Sequence, residues 1–352
     1  MEYIKRKKTR KIRAGNIYIG GDSPITVQSM TNTDTRNVCE TVKQIKRLEQ
    51  AGCDIVRIAI PDMEAAEAVK AIKKAIKIPL VTDIHFDYRL ALECIKNGTD
   101  KIRLNPGNIG GRDRVKAVAD LAKEYGIPIR IGVNSGSIER QFYDKYGGVT
   151  PEGMVESALE HAGMLEAEGF EDIAFSLKAS NVPMTVAAYR LMSEKSDYPL
   201  HLGVTEAGTI YKGTIKSSVG LGTMLCEGIG DTIRVSLTGD PVEEVKAGIE
   251  ILRAAGLRKG GVDFISCPTC GRCQIDLIAA ANKVEARLAK LDKNIKVAVM
   301  GCAVNGPGEA KEADIGIAGG KGEALLFKKG HIISKIPEDR IVEVLLSEIE
   351  KM

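Results

Sequence analysis

From residue 25 to about residue 255 the chain repeats one beat: a short β-branched run, a polar or glycine-rich corner, then a helical stretch. The runs are ITVQSM from Ile25, DIVRIAI from Asp54, PLVTDI from Pro79, KIRLNP from Lys101, PIRIGVN from Pro128, DIAFSLK from Asp172, LHLGVTE from Leu200 and TIRVSL from Thr232. The stretches between them are amphipathic. VCETVKQIKRLEQAG, for example, sets Val38, Val42, Ile45 and Leu48 on one face and stops at Gly52. Eight such units in roughly 230 residues predict a (β/α)8 TIM barrel, which typically takes about 250. A doubly wound open sheet would carry a glycine-rich turn after its first strand, and VQSMTNTDT is not one. The longer gap SGSIERQFYDKYGGVTPEG is expected to be a functional loop. Upstream, KTRKIRAGNIYIGGDSPITVQSM predicts a hairpin leading into the first barrel strand.

After residue 256 the beat changes. VDFISC and IKVAVMGC read as strands around a helix, QIDLIAAANKVEARLAKL; a small meander and a closing helix follow. The expected organisation is a barrel with its hairpin over 1–256 and a smaller α+β domain over 257–352. Lys+Arg is 50 against Asp+Glu 47, so no global field favours a polyanion. The chain has no Trp and only 4% aromatics, which argues against a nucleic-acid partner. No apolar run approaches the ~20 residues of a membrane span, and the basic N-terminus lacks a signal-peptide core. The expected location is cytoplasmic, with the 8 cysteines reduced.

In a barrel, chemistry gathers at the carboxyl ends of the strands, and residues two apart share a face. By that rule Arg103 pairs with Asn105, Arg130 with Asn134, Ser176 with Lys178, Arg234 with Ser236, and Asp83 with His85. Arg57 is flanked by apolar neighbours, and Glu206 ends its run. Cations on five strands, interleaved with Val, Ile and Leu, are costly to bury unless they face a polar mouth. Arg57, Arg103, Arg130, Lys178 and Arg234 would repel one another around an empty cup, and an anion with more than one phosphate would relieve them. Asp83 and Glu206 are the candidate proton-handling groups.

The second domain carries SCPTCGRC, with Cys267, Cys270 and Cys273, and then Cys302 at the head of CAVNGPGEA. In a reducing compartment such clustering points to metal. A zinc ribbon repeats its two-residue spacer, and no second pair surrounds Cys302. The asymmetry favours an iron–sulfur cluster, and spacing alone nominates Cys267, Cys270, Cys273 and Cys302. Cys39, Cys53, Cys94 and Cys226 lie in or beside barrel helices, where buried small-hydrophobe roles are expected.

PITVQSMTNTDT, RLNPGNIG, RIGVNSGS, SLKAS, LGVTEAG, SCPTC and GCAVNGPGEA together resemble the bacterial 4-hydroxy-3-methylbut-2-enyl diphosphate synthase family of the methylerythritol phosphate route to isoprenoids. The resemblance runs nearly end to end. It implies a TIM barrel followed by a [4Fe–4S] domain related to the sulfite and nitrite reductase half-domains, in the compact form without the extra domain of plant versions. It replaces Cys273 in the ligand set: Cys267, Cys270, Cys302 and Glu309 match the family's three thiolates and one carboxylate.

The implied reaction is the two-electron reductive ring opening and dehydration of 2-C-methyl-D-erythritol 2,4-cyclodiphosphate. By the same resemblance Arg57, Arg103, Arg130, Lys178 and Ser236 meet the diphosphate. Asn105, Asn134 and Asn305 orient the substrate, and Arg234 lines the mouth. Asp83 and Glu206 handle protons. Reduced flavodoxin or ferredoxin supplies electrons, and a homodimer forms composite sites. Two other readings compete. In a radical S-adenosylmethionine enzyme the cysteine triad usually follows the first barrel strand, and here it follows the eighth. The other is a phosphate- or pterin-binding barrel with a zinc-stabilised interaction module.

Overall fold

The computed structural model describes residues 4–288, 291, 293–302 and 310–352. Contacts divide the chain into two units, Met1–Arg258 and Lys259–Met352.

The first unit opens with an antiparallel hairpin, β1 (Ile12–Ala14) and β2 (Ile17–Ile19). Eight parallel strands follow: β3 (Thr26–Met30), β4 (Ile55–Ala59), β5 (Leu80–Asp83), β6 (Lys101–Arg103), β7 (Ile129–Asn134), β8 (Ile173–Lys178), β9 (His201–Leu202) and β10 (Thr232–Ile233). Their order is β8-β7-β6-β5-β4-β3-β10-β9, and a parallel bridge from Phe175 to Leu200 joins the two ends. This is the (β/α)8 barrel that the beat predicts. The helices between strands start where polar side chains accept the otherwise unpaired first-turn N–H groups. Asp62 accepts from Ala65, Asn181 from Met184 and Thr150 from Gly153.

Strand parity sets two cores. Val56, Ile58, Ile102, Leu104, Ile129, Ile131, Phe175 and Leu177 point outward and pack under the helices. Inside the barrel, Ile55, Val81 and Ala174 meet Ile12, Ala14 and Ile19 of the hairpin. Those three lumen residues lie early in their strands, so the hairpin plugs the amino end and chemistry is left to the carboxyl end.

Three expectations need correction. The last two strands form only two-residue ladders. Beyond them the chain stays tied by single bonds, Arg234 N–H to Leu202 O at 2.9 Å and Thr205 N–H to Ala179 O at 3.3 Å. The loop after β7 contains a short helix, Arg140–Tyr146, which ends at Gly147 with φ 68°. Cys53 and Cys94 are buried, but Cys39 and Cys226 are exposed. Cys39 follows the first residue of its helix and Cys226 ends its own, so neither faces the barrel.

The second unit is a five-stranded mixed sheet: β11 (Val262–Ser266), β12 (Ile295–Met300) and β13 (Ile315–Gly319) run parallel, then β14 (Glu323–Lys328) and β15 (His331–Pro337) turn back as a meander. Helices Leu277–Leu288 and Ile341–Glu350 bury Leu277, Val284, Leu345 and Ile349 against Val297, Val299, Ile315 and Ile317. Among the described residues, no helix is long and apolar enough to cross a membrane.

Candidate functional site

The outward packing of Val56, Ile58, Ile102, Ile131 and Leu177 forces their neighbours into the lumen. Arg57 there points Nε and Nη2 at the Met30 sulfur, 3.0 and 2.9 Å away, and lies 3.9 Å from the Asp83 carboxylate. Arg103 reaches the other Asp83 oxygen at 3.5 Å, and its Nη2 donates to the Gly132 carbonyl at 2.8 Å. Asn105 holds the same residue from both sides: its amide donates to Gly132 O at 3.0 Å and its oxygen accepts Gly132 N–H at 2.8 Å. A Cβ on Gly132 would sit 2.7 Å from Arg103 Nε, so only glycine lets the guanidinium lie there. Arg130, 1% exposed, donates to Ser176 Oγ, while its Nε and Nη2 have no partner among the described residues. Lys178 Nζ stands 3.4 Å from His201 Nε2, and His201 Nδ1 stands 3.3 Å from Thr232 Oγ1. Arg234 is shared with Glu244, 3.4 Å away, so among the described residues it is the one cup arginine paired to a helix carboxylate.

The cup is short of negative charge. Burial pushes Arg57 down to about 10; Asp83 opposes that push, and Arg234 and Arg103 add to it. Burial, then Arg130, Arg57, Arg234 and Arg103, hold Lys178 far below an ordinary amine. His201 is held neutral by burial and by Lys178 and Arg130. Lys178 then donates to Nε2, which leaves the proton on Nδ1 to meet Thr232. Burial alone would raise Asp83, but Arg57, His85 and Arg103 outweigh it and keep the carboxylate ionised well below its usual range. Asp83 is therefore a counter-ion that can accept a proton and has none to give at neutral pH.

Glu206 lies apart from this cluster. It is exposed, in the left-handed region at φ 51°, and lines a cleft of ≈ 560 Å³ with Asn134, Ser180 and Thr205. A non-glycine residue held there costs on the order of 1 kcal/mol or more, a strain that concentrates at functional sites. Asn134 has no side-chain partner among the described residues, and Ser236 is half-buried beyond β10. Asn305 and Glu309 lie outside the described residues.

Sequence patterns missed His161, which sits mid-helix. It is 3% exposed; Nδ1 accepts the Gly107 N–H at 3.0 Å, and Nε2 meets Glu139 at 2.6 Å. Ser157 completes the Glu139 carboxylate at 2.7 Å. The imidazole thus ties the loop after β6, which follows Asn105, to the loop after β7, which follows Asn134. A Cβ on Gly107 would lie 2.4 Å from the ring, so glycine is required for that approach. Burial would raise Glu139, but its bonds to His161 and Ser157 bring it down to about 2. That contribution to stability is present above the ordinary carboxylate range and is lost as pH falls toward 2. His161→Ala leaves buried partners unmade, so we expect a loss of ~1–3 kcal/mol in stability and about tenfold weaker pyrophosphate binding. Thermal unfolding and calorimetric titration check both, and unchanged affinity would show that the tie does not shape the cup.

In the second unit, Cys267 and Cys302 follow the carboxyl ends of the adjacent parallel strands β11 and β12. Gly301 N–H donates to the Cys267 sulfur at 3.2 Å. Cys270 is exposed. Cys273 donates to the Ile275 carbonyl at 3.3 Å, and its sulfur lies 2.6 Å from where a Cβ on Gly301 would stand. Among the described residues, no three His, Cys, Asp or Glu side chains are drawn together closely enough to hold a metal ion.

Two family models match: the GcpE TIM-barrel domain over residues 9–249 and the GcpE protein C-terminal domain over 263–351. The chain belongs to the GcpE family. Among GcpE relatives, it is 70% identical to the 4-hydroxy-3-methylbut-2-en-1-yl diphosphate synthase (flavodoxin) of Ruminiclostridium cellulolyticum, covering 99% of each chain. The Clostridium acetobutylicum protein of the same name is 64% identical over 99% of this chain and 100% of its own. Solved structures of dihydropteroate synthase from Yersinia pestis (TM-score 0.52, 14% identity, 70% of this chain and 98% of that one) and Xanthomonas albilineans (0.51, 14%, 70% and 97%) share the barrel. At that identity the likeness establishes the barrel fold alone and carries nothing about a pterin ligand.

Set against the GcpE cup, the residues that parity singled out do converge: Arg57, Asp83, Arg103, Arg130, Ser176 and Lys178 line one lumen. Parity would also have found Lys101, two residues before Arg103, but the neighbouring arginines drew the reading past it. Glu244 gave no signal, because it belongs to a helix whose first turn bends over the mouth.

Proposed function

We propose that this chain catalyses the reductive ring opening and dehydration of 2-C-methyl-D-erythritol 2,4-cyclodiphosphate to 4-hydroxy-3-methylbut-2-enyl diphosphate, in non-mevalonate isoprenoid biosynthesis. The observation that carries the reading is the lumen of buried cations, Arg57, Arg103, Arg130 and Lys178, with Asp83 as a carboxylate that only Arg57 and Arg103 among them share. Guanidinium forks match the oxygens of a diphosphate in pairs, and burial strengthens each contact. Counted on the neutral acids, two electrons and two protons enter and one water leaves.

Arg57, Arg103, Arg130, Lys178 and Ser236 grip the diphosphate. Asn134 and Asn305 orient the carbon skeleton, and Asn105 acts through the Gly132 peptide that supports Arg103. Arg234 lines the mouth, Glu206 delivers the proton to the departing hydroxyl, and ionised Asp83 fixes Arg57 and Arg103. Cys267, Cys270 and Cys302 with Glu309 would hold a [4Fe–4S] cluster in the 257–352 domain. The donor types suit such a cluster, with three thiols beyond the carboxyl end of a small parallel sheet and one accepting a backbone N–H, and they would have to draw together around it. Such a cluster supplies low-potential electrons one at a time and an oxygen-binding iron. Reduced flavodoxin is the electron donor, a reading that the names of both relatives support. Cytoplasmic reduction keeps the thiols available.

A homodimer completes the sites. The helix Ile210–Cys226 exposes Tyr211, Ile215 and Val219 at four-residue spacing, an apolar stripe suited to a second copy. Anaerobically purified protein should be brown, carry about four iron and four sulfide per chain, and turn over the cyclic diphosphate with reduced flavodoxin. Colourless protein with stoichiometric zinc would favour the phosphate-binding barrel with an interaction module.

A further inference from the structure

Lys101 has no place in the reading above. It opens β6, is 0% exposed, and its Nζ has no partner among the described residues. Ile102 packs outward, so Lys101 and Arg103 share the lumen, with Lys101 nearer the hairpin plug. The uncharged lumen neighbours Thr26 and Gln28 are themselves buried with unpaired side-chain atoms. The ionisable groups around the lumen are Arg57 on β4, Asp83 on β5, Arg103 on β6, Arg130 on β7, Lys178 on β8 and His201 on β9, with Arg234 and its partner Glu244 beyond β10. Arg130, Arg57 and His201 are within its electrostatic reach. Asp83 is already committed to Arg57 and Arg103. An ammonium here therefore sits among cations without a counter-ion of its own.

We propose that Lys101 is a second tier of the anion site: a positioning residue that touches no substrate, is neutral beneath the empty cup, and takes a proton from solvent when a diphosphate enters above it. Guanidinium groups stay charged throughout, so the lysines and the imidazole must absorb the change. Burial, then Arg130 and Arg57, bring Lys101 down to about 7 in the empty protein, close enough to neutrality for a diphosphate to recharge it. The entering charge turns a repulsive surround into an attractive one, and the protonated tier then deepens the anion's potential well. The inference rests on the diphosphate reading of the cup.

The test is calorimetric titration of the anaerobic holoenzyme with inorganic pyrophosphate, at pH 8, in buffers of different ionisation enthalpy. The wild-type enzyme should take up about one proton more than Lys101→Met, whose unbranched side chain fits the same lumen; the probe's own protons cancel in this difference. At pH 6, where Lys101 is already charged, the difference should vanish. Affinity should fall about tenfold or more in the variant at both pH values. A second measurement needs no variant: in wild-type enzyme labelled at the lysine ε-carbon, one resonance should titrate near neutrality and move upward by about two units or more with pyrophosphate. Equal proton uptake in both proteins, or no lysine titrating near neutrality, overturns the inference and leaves the cup standing. Failure of pyrophosphate to bind wild-type enzyme overturns both.

Discussion

Asp83→Asn should lower the thermal midpoint of the empty protein by on the order of 10 °C and make that midpoint depend on pyrophosphate. The side chain is 8% exposed and lies 3.9 Å from Arg57, 3.5 Å from Arg103 and 3.5 Å from His85. Removing one partner of a buried ion pair costs about 3–5 kcal/mol, because the remaining charge stays desolvated without compensation. Here two guanidinium groups lose the carboxylate they share, and burial with the surrounding cations already pushes Lys178 and His201 toward their neutral forms. A bound diphosphate restores the missing charge, so pyrophosphate should stabilise the variant by several degrees more than it stabilises wild type. The pH dependence has a fixed sign. The folded-state acidity of Asp83 is shifted downward, so its contribution is complete above the ordinary carboxylate range and fades as pH falls toward its folded value. Melting curves of the two proteins should therefore diverge at neutral pH and draw together in acid. Identical midpoints at pH 7, or equal stabilisation by pyrophosphate, would mean that the cup cations are neutralised some other way.

That electrostatic argument explains why part of the site was legible in sequence. A barrel strand alternates between a helix-packed face and the lumen, so a cation between two branched apolar residues has one place to go. Strand parity alone places Arg57, Arg103 and Arg130 in the lumen. Burial depth was not legible, and it changes the roles. Asp83 looked like a proton donor or base partner from its position at a strand end; two guanidinium groups within 4 Å hold it as a carboxylate at neutral pH, which leaves only the accepting role. Asn105 looked free to meet a ligand, but its amide is spent on Gly132. His161 could not be read because its partners, Gly107 and Glu139, come from two different loops. Short ladders at β9 and β10 escaped for a related reason. LHLGVTE and TIRVSL have strand composition, but Gly203 runs so close to Lys178 that a Cβ there would lie 3.0 Å from its ammonium group. Composition records propensity; it does not record which neighbour presses on the backbone.

Cysteine variants should separate the two ligand sets that spacing leaves open. Cys270→Ser should lose its iron, keep a folded barrel, and lose at least about 1,000-fold in turnover, because a three-thiolate site lacks a ligand it cannot replace. Cys273→Ser should keep about four iron per chain and turnover within a few-fold of wild type. The difference follows from where the two thiols stand. Cys270 is exposed and available. Cys273 is turned into the small domain, bonded to the Ile275 carbonyl and pressed against Gly301, which leaves no room for even a methyl group. In the proposed ligand set Glu309 supplies the oxygen, so Glu309→Ala should retain iron while losing turnover. Iron lost from Cys273→Ser as completely as from Cys270→Ser would put the third thiol in the cluster and remove the open oxygen-held position the chemistry needs. The same variants test the dimer. Doubly tagged heterodimers of Lys178→Ala and Cys270→Ser chains should regain about half of wild-type turnover, since one of the two composite sites is then assembled from an intact cup and an intact cluster. Each homodimer should be inactive. Heterodimers as inactive as both parents would place the cup and the cluster that serve one substrate on a single chain.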